Sequence, residues 1–229
     1  MGTETSTDYA NKNKSYIYKR HFVIPETMTG KNILLNFDAV DWSCVVFVNG
    51  QKVGEHQGGY DPFSFDITDA LHESGEQELV VQVYDPTEGD QPRGKQSVYP
   101  KSIFYTPSSG IWQTVWLEPV ADIYIDDFTI IPDIDNSLVK IKVNAVNATA
   151  NTQVFIQVLD GEQIIATQEG LTGNELSLPI PNPKLWSPDT PFLYNLSFKL
   201  MDNDLKMDEV GSYCGMGERQ FPERICKDD

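Results

Sequence analysis

The sequence predicts an all-β protein of two sandwich domains that meet near residue 120. Three observations carry this expectation. Helical patterning is nearly absent. Short runs alternate apolar and polar residues with the period of two that a half-buried strand requires. Clusters of Gly, Pro, Asn and Asp punctuate those runs as turns do.

In chain order, residues 1–15 are polar and lack the apolar core of a secretion signal, so they read as a frayed lead-in. Ile33–Phe37 and Cys44–Val48 read as strands, and Asn49-Gly50 follows at once. Both residues of that dipeptide accept positive φ, the requirement of a tight type I′ hairpin turn. A turn or two of helix is expected near Ile67–Ser74, where Thr68 or Asp69 would cap Ala70–His72. Glu78–Tyr84 and Gln113–Glu118 mix β-branched and aromatic residues, which suit a pleated, half-buried surface. The loop-rich first 120 residues suggest a jelly-roll type of sandwich.

Beyond residues 121–133 the alternation is cleaner. Val139, Ile141, Val143 and Ala145 share one face, and Lys140, Lys142 and Asn144 the other. Val154, Ile156 and Val158 repeat the pattern, as do Leu176, Leu178 and Ile180, and then Tyr194, Leu196, Phe198 and Leu200. With no helices to cover parallel pairs, these strands argue for an antiparallel sandwich.

Composition narrows the function classes. The 229 residues carry 17 basic and 34 acidic side chains, a net charge of −17, which repels phosphate backbones and argues against a nucleic-acid partner. No apolar run reaches the length of a membrane span. Cys44, Cys214 and Cys226 are odd in number and widely spaced, and His21, His56 and His72 are as scattered. Neither set has the spacing of a disulfide framework or a metal site, so no metal and no cofactor is expected. The compartment is left open: cytoplasmic, or periplasmic or secreted with a signal removed.

Sugars offer apolar C–H faces to aromatic rings and hydroxyls to polar groups, so loop-borne aromatics are candidate carbohydrate contacts. Trp42, Tyr60, Tyr99 and Tyr105 are the candidates, with burial in the core as the competing reading; Trp112 and Trp116 read as core. Asp85, Glu88 and Asp90 share a loop but match no EF-hand spacing, and a solvated acidic loop is the simpler reading. Between Asp90 and Glu118 there is no acidic residue, whereas Arg93, Lys95 and Lys101 are present. Such a basic island suits an anionic ligand or an acidic neighbour, although chance placement is the favoured reading. No GxSxG elbow, P-loop or HExxH helix occurs, and no catalytic residue is expected in this chain.

Several segments together resemble glycoside hydrolase family 2, which includes β-galactosidases, β-glucuronidases and β-mannosidases. They are Tyr18–Phe22, Asn36–Trp42 (NFDAVDW), Val48–Gly50, Gly58–Thr68 (GGYDPFSFDIT) and Ser109–Glu118 (SGIWQTVWLE). Leu185–Tyr194 (LWSPDTPFLY) and Gly211–Met216 (GSYCGM) continue the likeness. The resemblance implies a jelly-roll sugar-binding-like domain over 1–120, an immunoglobulin-like sandwich over 121–217 and a tail, 218–229. It further implies a retaining enzyme whose TIM barrel, carrying both catalytic glutamates, follows these domains. This chain is then expected to be the non-catalytic front of an O-glycosyl hydrolase, inactive alone and framing the barrel. Its partner is a β-glycoside held with that barrel, and homo-oligomerisation is left open. Some relatives place a carboxylate on the loop before Ser109; here the loop offers Tyr99, Lys101 or Tyr105 instead. The alternatives are an autonomous carbohydrate-binding module, or a sandwich interaction protein without a sugar role.

Overall fold

The computed structural model describes residues 2–3, 15–87 and 89–217. Most of the expected lead-in, the tail 218–229, Cys226 and Glu88 lie outside the described residues. The chain divides into two compact units, Met1–Val120 and Ala121–Asp229.

Regular structure is almost entirely strand. The first unit contains β1 (Gly2–Thr3), β2 (Ser15–Val23), β3 (Asn32–Phe37), β4 (Val40–Asp41), β5 (Ser43–Val48), β6 (Gln51–Gln57), β7 (Phe63–Asp66), β8 (Glu76–Tyr84), β9 (Ser108–Ile111) and β10 (Val115–Val120). All pairings between these strands are antiparallel. Two sheets, β10-β3-β7 and β2-β8-β5-β6, form the sandwich, and a small third sheet runs β1-β9-β4. Alternation explains the core: Ile33, Leu35 and Phe37 of β3 face Val46 and Val48 of β5 and Val81 and Val83 of β8.

The Asn49-Gly50 turn forms as expected, with φ of 50° and 80° and the two-residue register Val48↔Gln51. Asn49 also anchors the neighbouring strand. Its amide nitrogen donates to the Ala70 carbonyl (2.8 Å) and Gln77 Oε1 (2.7 Å), and its Oδ1 accepts the Glu78 N–H (2.8 Å).

The expected helix over Ile67–Ser74 is a single 3-10 turn, Thr68–Ala70. Neither Thr68 nor Asp69 caps it. The N-cap is Ile67, whose apolar side chain cannot cap, and Asp66 before it holds the first residue, its Oδ1 accepting the Thr68 N–H at 2.9 Å and the Thr68 hydroxyl at 2.6 Å. The Thr68 oxygen is instead used to accept the Ile33 N–H, which ties the turn to β3.

The second unit contains β11 (Tyr124–Asp133), β12 (Leu138–Val146), β13 (Thr152–Asp160), β14 (Gln163–Leu171), β15 (Glu175–Pro179), β16 (Tyr194–Asp202) and β17 (Leu205–Cys214). These form sheets β11-β12-β15 and β14-β13-β16-β17, all antiparallel. Three strands on four is the immunoglobulin-like arrangement. Val139, Ile141 and Val143 are buried as their alternation requires, against Val154, Ile156, Leu196 and Phe198 of the facing sheet. The Phe128 and Phe198 rings pack at 4.8 Å. Cys44 and Cys214 are buried free thiols, and burial pushes each thiol up to about 11, so neither is a thiolate at neutral pH.

Candidate carbohydrate-facing site

The small sheet of the first unit assembles the site. Register places Val40 opposite Ile111 and Asp41 opposite Gly110, so the Asn36–Trp42 and Ser109–Glu118 segments meet edge to edge. The Asp41–Trp42 peptide bond is cis. Gly110 has a φ of 102°, and any Cβ there would strike the Tyr18 side chain, so no other residue fits.

Trp112 crosses to the Gly58–Thr68 segment. Its indole N–H donates to the Gly59 carbonyl at 2.8 Å, and Tyr60 meets its ring edge-on at 5.9 Å between centroids. Asp41, Tyr60, Gln96, Ser108, Ser109 and Trp112 line a pocket of about 150 Å³. Asp41 Oδ1 is buried beneath Gly59 without a hydrogen-bond partner. Burial, and then the nearby charge of Asp85, push the Asp41 carboxyl up to about 6. Burial raises Asp85 as well, partly offset by the Ser109 hydroxyl beside it. Asp85 is thus half-buried and not the solvated carboxylate expected of an acidic loop. Among the described residues no group of three or more His, Cys, Asp or Glu could hold a metal.

The connection between β8 and β9 carries the remaining candidates. Its neck is closed by backbone: Tyr105 N–H donates to Lys95 O (2.7 Å) and Ser97 N–H to Tyr105 O (3.1 Å). The Gln96 side chain fastens the neck to β9 by accepting the Ser108 N–H at 2.7 Å. Beyond the neck the chain turns back at Ser102 (φ 58°), with the Phe104 N–H bonded to Lys101 O. The tip exposes Tyr99 (78%) and Lys101, alongside Ile103 and Phe104, and the neck residue Tyr105 exposes its ring as well (68%).

Of the residues singled out by sequence, Tyr60 lies in the pocket and Tyr99, Lys101 and Tyr105 share the loop. Trp42 is half-buried, stands outside the pocket lining, and accepts the Gly58 N–H through its carbonyl. Trp112, expected in the core, walls the pocket, and Trp116 is 41% exposed on β10. Asp41, Gln96 and Ser109 escaped sequence reasoning. Only the register of β4 against β9 and the loop neck bring them together.

Two family models match the chain in sequence order. That of glycosyl hydrolases family 2, sugar binding domain, covers residues 3–118, and that of glycosyl hydrolases family 2 covers residues 123–216. The chain belongs to glycoside hydrolase family 2. Among curated relatives, this family-2 chain is 28% identical over 216 residues to a β-galactosidase of Thermoanaerobacter pseudethanolicus, spanning 89% of the chain and 28% of the relative. It is 30% identical over 221 residues to a putative β-glucuronidase of Formosa agariphila, spanning 90% of the chain and 25% of the relative. A solved β-glucuronidase of Ruminococcus gnavus, in complex with D-glucaro 1,5-lactone, superposes with a TM-score of 0.74 at 21% identity. That match takes in 88% of the family-2 chain and 36% of the solved one, and it shows the shared fold. The family-2 chain therefore spans between a quarter and a third of the length of these two curated relatives.

Proposed function

We propose that this chain is the non-catalytic front of a retaining β-glycosidase that hydrolyses O-glycosyl bonds. It frames a catalytic barrel and presents the Lys95–Tyr105 loop to a sugar held there. One observation carries the reading: the two family-2 segments follow one another in order over nearly the whole chain, yet cover only 28% and 25% of a β-galactosidase and a putative β-glucuronidase. The loop supports it, because Tyr99 and Tyr105 offer exposed rings and Lys101 a hydrogen-bond donor, the groups a pyranose face and its hydroxyls pair with. Asp41 is not assigned a catalytic role: its orphaned oxygen is sealed under Gly59, and Asp85, the carboxyl nearby, is not among the residues that line the pocket, so the pair that glycoside hydrolysis uses does not face it.

The test is turnover of chromogenic β-galactosides and β-glucuronides by the purified chain, beside calorimetric titration of the same sugars. The expected result is no turnover above buffer and no saturable heat, the sugar contacts being completed by the catalytic domain. Turnover that survives repurification would overturn the reading. Saturable heat without turnover would make the first unit an autonomous carbohydrate-binding module.

A further inference from the structure

We propose that Asn49 is a covalent modification site gated by the fold. Its side-chain amide is lost to attack by the Gly50 backbone nitrogen when the chain is unfolded, and native hydrogen bonds hold that reaction off. The site is independent of the glycosidase reading.

Sequence supplies the reactivity. No other asparagine of the chain is followed by glycine. In an open chain, a backbone N–H that loses its proton attacks the side-chain carbonyl carbon of the preceding asparagine. The new bond joins Gly50 N to Asn49 Cγ and closes a five-membered imide. The Cγ–Nδ2 bond breaks, and the amide nitrogen takes the proton and leaves as ammonia. Water then opens the imide at either carbonyl, giving aspartate or isoaspartate. Nothing is oxidised or reduced, and water is the sole co-reactant. Glycine suits the attack because it has no Cβ to crowd the nitrogen or restrict its approach.

The fold supplies the restraint. Ring closure requires the Asn49 amide to swing onto Gly50 N, and in the native turn both polar atoms of that amide are engaged. Nδ2 donates to the Ala70 carbonyl and to Gln77 Oε1, and Oδ1 accepts the Glu78 N–H. The Asn49 N–H is held as well, by the Glu78 carbonyl at 2.8 Å. The partners cannot follow the amide: Ala70 and Gln77 are buried, and Gln77 Oε1 also takes the His72 N–H at 2.8 Å. Three side-chain bonds must therefore break before the ring can close, so the rate follows the small population in which the turn has opened.

The same bonds make the change consequential. Aspartate keeps an acceptor for the Glu78 N–H but sets a carboxylate oxygen against the oxygens of Ala70 and Gln77. Isoaspartate adds a backbone carbon to a two-residue turn, which the Val48↔Gln51 register does not accommodate. A chain that has aged unfolded thus refolds with a weaker hairpin.

The experiment incubates the full chain at one pH and temperature, in native buffer and in guanidinium chloride, and follows conversion by peptide mass spectrometry. Asn136 is the internal reference. It is exposed, precedes Ser137, and among the described residues its side chain bonds only to Asp133 three residues earlier. Guanidinium should speed conversion at Asn49 about a hundredfold, the factor that three ordinary hydrogen bonds set, and at Asn136 by no more than about tenfold. Equal rates at Asn49 in the two solutions, or no conversion there in guanidinium, would overturn the proposal. Equal protection of the two asparagines would also overturn it, by assigning the effect to folding at large. Material aged in guanidinium and then refolded should melt below fresh material, in step with its converted fraction. An unchanged midpoint would refute the weakening of the hairpin.

Discussion

The indole of Trp112 donates to the carbonyl of Gly59, 53 residues earlier in the chain, at 2.8 Å. This bond clamps the segment after β9 onto the turn after β6 and fixes the wall of the 150 Å³ pocket. Trp112→Phe keeps a ring and removes the donor. It should cost about 0.5–1.5 kcal/mol, read by urea denaturation. A change much larger than that would mean the ring packing, not the hydrogen bond, holds the clamp.

Gly59 is also the lid over Asp41. A Cβ at this position would stand 2.5 Å from Asp41 Oδ1, closer than a carbon and an oxygen that share no bond tolerate. Gly59→Ala should therefore destabilise by about 1–3 kcal/mol, the usual cost of overpacking, and lower the thermal midpoint. The double variant Gly59→Ala with Asp41→Ala should recover part of this if the clash is the cause.

Asp41 makes stability depend on pH. Burial and the charge of Asp85 lift its carboxyl from 3.8 to about 6, so the folded chain holds the proton more tightly than the unfolded one. The favourable contribution is complete below about pH 4 and fades as pH rises through 6. The full displacement corresponds to about 3 kcal/mol, and roughly 1 kcal/mol survives screening at a half-open site. Asp41→Asn, which never ionises, should gain that amount on the parent between pH 4 and 7 in denaturation curves. Asp85, raised by burial too, leaves the variant a residual slope. Parallel curves for the two proteins would refute the assignment.

Asn49 is a costly turn residue to replace. Asn49→Ala removes three hydrogen bonds, leaves the fully buried Gln77 amide short of a partner, and puts alanine at a φ of 50°. A loss of about 2–4 kcal/mol is expected from those terms. Asn49→Asp keeps the acceptor for Glu78 N–H and should fall between the two.

The loop tip should behave oppositely. Tyr99→Ala removes an exposed ring at the tip and Tyr105→Ala an exposed ring at the neck, whose closure is main-chain, so stability should move by no more than about 0.5 kcal/mol. In a hydrolase assembled with its catalytic domain the same variants should raise KM for the sugar, which steady-state kinetics would detect.

The strands that line the cores were legible for two reasons: Val139–Ala145 alternates cleanly, whereas Ile33–Phe37 and Cys44–Val48 are near-continuous apolar runs bounded by turns. The Asn49-Gly50 turn follows from backbone chemistry alone. By contrast β6, Gln51–Gln57, and β14, Gln163–Leu171, are sheet edges with few buried side chains, so packing wrote little periodicity into them. The helix expected near residue 70 shrank to one turn because Asp66 and the β3 backbone claim its first residues. At the site, aromatic type pointed to Tyr60 and the loop tip. It misjudged Trp112 and Trp116, because two tryptophans four residues apart look alike whether they face a core or water. Asp41, Gln96 and Ser109 come from three distant segments that only strand register unites, and no local spacing announces them.

The neck of the Lys95–Tyr105 loop is closed by main-chain hydrogen bonds between residues 95, 97 and 105. Backbone bonds do not specify side chains, so the residues between Ser97 and Tyr105 are free to change identity without loosening the closure. Natural variation can therefore rewrite what the tip touches while both sandwiches stay as they are. The loop is an exchangeable cassette, and grafting a tip of different sequence between those two residues should alter recognition at almost no structural expense.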